Sequence, residues 1–251
     1  MTTTMDWTRC LASFPLATGD LLATRELRRR TDTKFVVSPD AALSWLGGLN
    51  NDYAVLLAGD TRLASYRTLY FDTPDLEFFH AHRRGRRVRQ KVRVRHYPDR
   101  RLSMLEIKTR RSDLESVKIS CEHPYGESTL SAEERAFLDR HLGCGQGLCR
   151  QVWTNFRRLT LLGIHSNERV TIDLDLVVER GHLRETFPEV AIIEIKQRPF
   201  NRDSVAMSTL RAAHGRAESM SKYCAAMAVL LPGLRVNRLL PDLRVLQRGV
   251  S

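Results

Sequence analysis

The residues between Arg86 and Arg95 combine two chemical characters in a regular alternation. Cations occupy every second place, at Arg87, Arg89, Lys91, Arg93 and Arg95. The places between them, Val88, Gln90, Val92 and Val94, are mostly apolar and β-branched. Successive side chains of a strand point to opposite faces, so this pattern predicts a strand over 86–97 with one cationic face and one apolar face. A column of like charges is best explained if a polyanion lies along it.

Several other segments place charged or polar residues at the same spacing of two. They are Asp32 and Lys34; Glu106 and Lys108; Arg169, Thr171, Asp173 and Asp175; and Glu194 and Lys196. Each such face could point to water, as in a half-exposed sheet. However, neighbouring like charges destabilise an exposed sheet, and the opposite faces are apolar and flanked by predicted amphipathic helices. Helices covering the apolar faces would leave the charged faces lining the inside of a barrel.

A barrel lined by Arg and Lys is too costly if it is dry, but it suits bound phosphate groups. An unpaired buried cation carries a large desolvation cost. Arg offers phosphate a planar fork of donors, and Lys adds a compact charge. The interspersed acids Glu106, Asp173, Asp175 and Glu194 would balance these cations. With phosphate oxygens they could also hold a divalent metal such as Mg²⁺ or Mn²⁺.

Two assignments among the possible metal ligands stay open at the level of sequence. Asp173 is either a second metal ligand or an ion-pair partner of Arg169, and the partner role is favoured. His80 and His82 lie on a predicted short helix without a third ligand, so a structural or surface role is favoured over metal binding.

Local patterns predict eight strands and five helices in the chain. The strands cover 31–37, 62–72, 86–97, 102–109, 115–120, 151–163, 168–178 and 190–196. The helices cover 38–47, 73–83, 131–142, 203–214 and 219–230. Ser38 before Pro39 and the capping-box spacing of Ser131 and Glu134 mark two helix starts. Eight antiparallel strands suit a closed barrel, so the fold class is α+β, mainly β, with helices packed outside.

Length and composition fit one large domain with appendages. The chain has 251 residues, 42% of them hydrophobic, and a formal net charge of +11, which favours an anionic partner. We divide it into an N-terminal arm (1–22), a tunnel domain (23–231) and a C-terminal tail (232–251). The five cysteines are odd in number and widely spaced, and no apolar run resembles a signal peptide or a membrane span. We therefore expect a cytoplasmic protein with no membrane segment of its own, which a partner would have to bring to a membrane.

An ordered set of motifs resembles one known family. It comprises Tyr66-Arg67-Thr68-Leu69-Tyr70-Phe71-Asp72-Thr73 followed by His82; Lys91-Val92-Arg93-Val94-Arg95-His96-Tyr97; Glu106-Ile107-Lys108; Arg169-Val170-Thr171-Ile172-Asp173; Ile193-Glu194-Ile195-Lys196; and Ser221-Lys222-Tyr223. Together these resemble the VTC domain, the catalytic domain of a polyphosphate polymerase, over about residues 25–231. The form resembled is the stand-alone bacterial one.

The resemblance implies a triphosphate tunnel metalloenzyme fold, an eight-stranded barrel open at both ends. It implies transfer of the γ-phosphate of ATP to inorganic polyphosphate with a divalent metal, typically manganese. Position by position, it assigns catalytic phosphate contacts to Lys34, Arg93, Arg95, Lys108 and Arg169. It assigns further substrate contacts to Lys118, Arg158 and Lys222, and the metal to Glu194. Lys91, Lys196 and Tyr223 are further candidate substrate contacts, although Tyr223 could equally be a packing residue.

The sequence departs from the family pattern at two places and leaves two other functions open. Phe156 stands where the family usually has Tyr, and Ser120 where it often has Arg. A tunnel triphosphatase is the nearest alternative. Such hydrolases carry an acid-rich first strand of the form Glu-x-Glu-x-Lys, but the matching places here are Arg30, Asp32 and Lys34, which favours the polymerase. A non-catalytic module for polyphosphate or nucleic acid is the other alternative; nucleic acid is disfavoured because aromatic residues are scarce around 83–97. The sequence does not specify an oligomeric state.

Overall fold

The computed structural model describes residues 4–24, 30–111, 116–213, 217–218 and 220–248. The strands are β1 (Thr31–Val37), β2 (Tyr53–Val55), β3 (Leu63–Asp72), β4 (Arg89–Tyr97), β5 (Leu102–Arg110), β6 (Ser116–Glu122), β7 (Cys149–Gly163), β8 (Glu168–Arg180), β9 (Leu183–Phe187), β10 (Ala191–Gln197) and β11 (Ala217–Glu218). The helices are α1 (Thr4–Ala12), α2 (Gly19–Thr24), α3 (Pro39–Leu46), α4 (Glu77–Arg83), α5 (Ala132–Leu142), α6 (Val205–Ala212), α7 (Lys222–Leu230) and α8 (Leu240–Arg248).

All of these strands belong to one antiparallel sheet that curls into a half-barrel. The strand order is β11-β1-β10-β8-β7-β3-β4-β5-β6, with β2 added to β7 and β9 added to β8. The eight long strands of this order are the eight predicted ones, so the mainly-β antiparallel barrel with outer helices is confirmed. Among the described residues no ladder joins β1 to β6, so the predicted closure is incomplete. The three short strands β2, β9 and β11 were not predicted.

The convex face of the sheet carries two apolar cores under the helices. Phe35 of β1 and Ile193 of β10 pack with Trp45 of α3 in the first core. Val92 and Val94 of β4 are fully buried in the second core, together with side chains of α5. These are the apolar halves of the alternating patterns, and their burial turns the polar halves to the concave side.

Capping side chains fix where two of the predicted helices begin. Ser38 accepts a hydrogen bond from the Ala41 N–H at 3.2 Å, and Pro39 occupies the first turn of α3. Ser131 and Glu134 form the predicted capping box of α5. Both caps are formed in the structure, because their side chains accept hydrogen bonds from N–H groups that have no carbonyl partner within the helix.

The segment around α4 differs from its prediction at both ends. The Asp72 carboxylate accepts hydrogen bonds from the N–H groups of Phe78 and Phe79, both at 2.9 Å, so α4 begins at Glu77 instead of 73. The following strand begins at Arg89 instead of 86. Arg87 therefore lies outside the strand and is exposed, and its inclusion in the inward file of cations was wrong.

Helix α7 fills one end of the concave face with apolar side chains. Tyr223 and Met227 of α7 pack there with Val36, Ile192 and further residues of the concave face. Side chains of α8 join the same core. The described part of the chain contains no helix long and apolar enough to cross a bilayer.

Candidate functional site

Next to the α7 core, the concave face is lined by basic side chains from several strands. We call this surface the basic chamber. Its cations are Lys34, Lys91, Arg93, Arg95, Lys108, Lys118, Arg158, Arg169, Lys196 and Lys222, and its carboxylates are Asp32, Glu106, Asp173 and Glu194. The ladders place Lys91, Lys108 and Lys118 side by side across β4, β5 and β6, and Arg169 beside Lys196 across β8 and β10. The structure thus brings together the predicted basic residues of these strands.

Asp173, a buried carboxylate of the chamber, binds two cations at once. Arg158 approaches it with two donors, and its Nη2 lies 2.7 Å from Asp173 Oδ2. Lys222 of α7 donates to the same oxygen. Burial acts to raise the pKa of Asp173, but Arg158 and Lys222 outweigh it and hold this pKa well below its usual value. The partner role favoured for Asp173 therefore holds, but Arg169 was the wrong partner.

Glu106 forms a second buried ionic cluster. Arg93 Nε lies 2.6 Å from its Oε2, and Lys118 Nζ lies 3.1 Å from its Oε1. Burial opposes ionisation of Glu106, yet Arg93, Arg95 and Lys118 keep its pKa well below the usual range. Arg95 itself donates to Thr68 Oγ1 at 3.1 Å and has no carboxylate of its own among the described ion pairs.

Glu194, the predicted metal ligand, is held by two lysines of the chamber. Lys196 donates to one carboxylate oxygen, and Lys34 Nζ lies 3.7 Å from the other. Burial raises the pKa of Glu194, but Lys196, Lys34 and Lys108 lower it more strongly, so the group is an anion. Asp32 forms an ion pair with Lys108, with 3.9 Å between Lys108 Nζ and Asp32 Oδ2.

Burial, together with neighbouring cations, lowers the pKa of two lysines of the chamber. Burial, and then the charges of Lys34, Lys108 and Arg93, lower the pKa of Lys91 to about 7. Burial likewise lowers the pKa of Lys196 to about 8, even though Glu194 opposes this shift. Lys91 donates to Ser221 Oγ at 2.8 Å, and this bond to a neutral partner leaves its charge uncompensated. The chamber is therefore built to gain an anion.

Two aromatic rings form a floor beneath three of the cations, a feature that sequence reasoning missed. Tyr66 and Phe156 stack with ring centroids 5.3 Å apart. Lys222 lies 4.7 Å above the Phe156 ring, and Arg158 lies 5.1 Å from the Tyr66 ring. Arg95 also approaches Tyr66, at 5.3 Å. Cation–π contacts of this kind hold guanidinium and ammonium groups in place without neutralising them.

Tyr223 occupies a different environment from the basic residues predicted with it. Its ring is buried in the α7 core, and its hydroxyl donates to Asp72 Oδ2 at 2.5 Å. Asp72 also orders the start of α4, so Tyr223 ties α7 to that helix. Its substrate-binding role stays a prediction that this geometry does not favour.

The chamber suits a metal that takes most of its ligands from phosphate and water. Among the described residues no group of three or more His, Cys, Asp or Glu side chains converges as a metal site. Glu194 nevertheless offers an ionised carboxylate within the basic chamber. Mg²⁺ and Mn²⁺ commonly bind through one or two carboxylates plus substrate oxygens, and the donor set fits that mode only.

The curled antiparallel sheet with a cationic concave face is the architecture of the triphosphate tunnel fold. The sequence model of the VTC domain matches residues 29–139 and 147–231. The chain therefore belongs to the VTC domain family. No curated protein matches the sequence.

Two solved structures show the same fold at low sequence identity. A candidate adenylyl cyclase from Hippeastrum, reported to have a dominant triphosphatase activity, superposes with a TM-score of 0.52 and 13% identity, over 82% of this chain and 99% of its own. A candidate adenylate cyclase from Bacillus halodurans superposes with a TM-score of 0.50 and 13% identity, over 77% of this chain and 94% of its own. At this identity the likeness concerns the fold alone.

Proposed function

We propose that this protein is a polyphosphate polymerase that transfers the γ-phosphate of ATP to an inorganic polyphosphate chain in the basic chamber. The observation that carries the proposal is the surplus of buried cations over carboxylates. Asp173, Glu106 and Glu194 are each shared by two cations. Among the described residues, Lys91 and Arg95 donate hydrogen bonds to hydroxyl groups and form no ion pair. A bound polyanion would supply the missing negative charge.

The first strand supports transfer to a phosphate acceptor over hydrolysis. Arg30 takes the place of the first acid of the hydrolase motif, and its Nε lies 2.7 Å from Asp32 Oδ1. Asp32 is thus paired with Arg30 where the hydrolase motif has a second acid, so the first strand lacks the acid pair that would hold a metal beside an activated water. Triphosphate hydrolysis remains the second candidate because the Hippeastrum neighbour, which shares the fold, has a dominant triphosphatase activity.

The chemistry needs no nucleophile from the protein. A terminal phosphate of the acceptor is already an anionic oxygen nucleophile, and the main obstacle is repulsion between two polyanions. The fixed cations Arg93, Arg158 and Lys108 offset this repulsion and would hold the two chains in line. A divalent metal bound by Glu194 and phosphate oxygens would supply further charge neutralisation at the transferred group.

Incubation of the purified protein with ATP and Mn²⁺ tests the proposal when polymer and orthophosphate are measured together. We expect polyphosphate on a polyacrylamide gel and little orthophosphate. Orthophosphate without polymer would establish the triphosphatase instead. Neither product, with retained binding of tripolyphosphate, would indicate a binding module.

A pair of variants connects the product to the chamber. Lys108→Ala removes a cation within the chamber and should abolish the polymer. Arg140→Ala removes an exposed cation of α5 on the convex side and should leave it unchanged. Equal losses in both variants would contradict the placement of the reaction.

A further inference from the structure

A turn of exposed arginines connects α4 to the basic strand. Arg84, Arg86 and Arg87 are exposed in this turn, which we call the arginine loop (residues 84–88). Arg238, from the short 3-10 helix Asn237–Leu239, joins them by donating from Nη1 to the Arg84 carbonyl at 2.7 Å. Four guanidinium groups from two distant parts of the chain therefore belong to one surface.

Backbone contacts hold the arginine loop in a defined shape. The N–H groups of Arg84, Gly85 and Arg86 donate to carbonyls of α4 at 2.9, 3.0 and 3.0 Å. Gly85 has a φ of +67°, and a Cβ at this position would lie 3.2 Å from Arg238 Nη1. The positive φ of this turn favours a glycine, and the missing Cβ also leaves room for the guanidinium group of Arg238. Such a turn presents its arginines with little ordering cost.

The arginines of this surface differ from the chamber cations in their ion pairs. Among the described residues no ion pair involves Arg84, Arg86, Arg87 or Arg238, whereas each carboxylate of the chamber holds at least one cation. A compact group of uncompensated cations generates a positive potential that attracts anions. The arginine surface resembles the chamber in its clustered positive charge, but its arginines are exposed to solvent.

The arginine loop lies at the N-terminal end of the inward file of cations on β4. Lys91 and Arg89 occupy this file, and the loop directly precedes Arg89. Helix α7 covers the concave face beside this file, and Lys91 donates to Ser221 Oγ at the N-terminus of the helix. Buried polar atoms without partners mark the same region, at His82 Nε2 and Arg83 Nε. Burial and the charges of Lys91 and Arg89 lower the pKa of His82, which places this ring against the same file.

We propose that the arginine loop and Arg238 form an outer subsite for linear inorganic polyphosphate whose end lies in the basic chamber. This inference rests on the proposed function only in so far as the chamber binds phosphate chains. The ligand class follows from the continuity of the two surfaces. A phosphate chain that lies along the cations of β4 and is long enough to pass Arg89 would meet the arginine loop. Residues 84–88 contain no aromatic side chain on which bases could stack, which disfavours nucleic acid.

Binding of phosphate chains of different length tests the outer subsite. The double substitution Arg86→Ala/Arg87→Ala should weaken binding of long-chain polyphosphate by about fivefold, since each exposed contact contributes modestly. Binding of tripolyphosphate, which fits within the chamber, should change by less than about twofold. Unchanged affinity for the long chain, or equal losses for both ligands, overturns the proposal.

Two controls separate a local site from a general charge effect. Arg100→Ala/Arg101→Ala removes the same charge from the exposed turn after β4, and it should retain full affinity for long chains. An equal loss there shows that net charge alone is responsible and overturns the proposal. Arg86→Lys/Arg87→Lys should restore most of the affinity.

The same variants distinguish a polyphosphate subsite from a nucleic-acid site. They also separate a failure of this proposal from a failure of the proposed polymerase function. If the unmodified protein binds single-stranded RNA more tightly than polyphosphate, and the double alanine variant loses that preference, the surface is a nucleic-acid site and the proposal is wrong. The binding comparison needs no turnover. A protein that hydrolyses ATP without making polymer could still show the chain-length dependence, and the two proposals therefore fail separately.

Discussion

The two ends of the concave face have the same backbone geometry but opposite chemistry. On β1, Val36 lies in the α7 core and Lys34, two residues earlier on the same face, lies in the basic chamber. On β10, Ile192 and Glu194 differ in the same way. Strand alternation therefore decides only which face a side chain joins. Whether an apolar or a charged side chain is stable at a given position depends on what covers that part of the face.

The contrast also separates stability from function. Each well-buried apolar side chain of the α7 core contributes about 1.5–3 kcal/mol relative to exposure. The chamber instead concentrates like charges whose lysines resist protonation, as the lowered pKa values of Lys91 and Lys196 show. The apolar end thus helps to offset the cost of the charged one. Four measurements would break or sharpen this comparison.

The largest effect is expected from placing a chamber residue in the apolar end. Ile192→Lys should lower the free energy of unfolding by about 4 kcal/mol, because it buries an unpaired cation under α7. Ile192→Val should lower it by about 1 kcal/mol. Denaturant unfolding measures both. Similar small losses in the two variants would show that this end is as open to water as the chamber.

Removal of a chamber carboxylate should come next. Asp173→Asn leaves Arg158 and Lys222 close together without their shared anion and should destabilise the protein by about 3 kcal/mol. Tripolyphosphate should recover part of this loss by replacing the lost charge. Asp175→Asn is the matched control, because Asp175 is half exposed and, among the described residues, forms an ion pair with Arg157 alone. Its loss should stay below about 1 kcal/mol. Equal losses would contradict the pairing described here.

Removal of a surplus cation should raise the free energy of unfolding instead of lowering it. Lys91→Met should stabilise the ligand-free protein by about 1 kcal/mol, since it relieves repulsion and replaces a buried charge with an apolar chain. The same change should weaken tripolyphosphate binding. Thermal unfolding with and without the ligand measures both effects. Destabilisation of the ligand-free protein would mean that Lys91 has a structural role through Ser221.

The smallest effect is a pH dependence of stability and ligand binding. The pKa of Lys91 is about 7 in the folded protein and near 10.4 when unfolded, so the unfolded state binds more protons between these values. Stability of the ligand-free protein should therefore rise with pH above about 7. Bound phosphate favours protonated lysines, so the increase in Tm caused by tripolyphosphate should be largest below pH 7 and decline through pH 8.

A titration series of Tm checks this sign. The Lys91→Met variant should show a flatter dependence, because the titrating group is gone. An increase of the ligand effect towards high pH in the unmodified protein would contradict the lowered lysine pKa values.

Most of the chamber was predictable because strand alternation is a local property. Lys34, Arg93, Lys108 and Lys196 all face inward because their neighbours in sequence are apolar and enter a core. The capped starts of α3 and α5 were predictable for the same reason. The family resemblance added the barrel open at both ends, and it led to the assignments of Arg158 and Lys222.

The features that escaped prediction depend on tertiary contacts. The pairing of Asp173 with Lys222 joins β8 to α7, and nothing in either segment specifies the partner. The start of α4 depends on the Asp72 carboxylate, which replaces the expected local cap. Strands β2, β9 and β11 are too short for a periodic pattern, and the domain boundaries at 22 and 231 stay predictions.

Helix α7 makes the basic chamber a late product of folding. Lys91 and Ser221 are 130 residues apart in sequence, and Asp173 and Lys222 are 49 apart. Contacts of such separation form slowly, because long loops must close before the contacts stabilise anything. A nascent chain released only as far as β10 would carry its phosphate-binding strands without the helix that completes them. Competence to hold a polyanion therefore requires synthesis at least through α7.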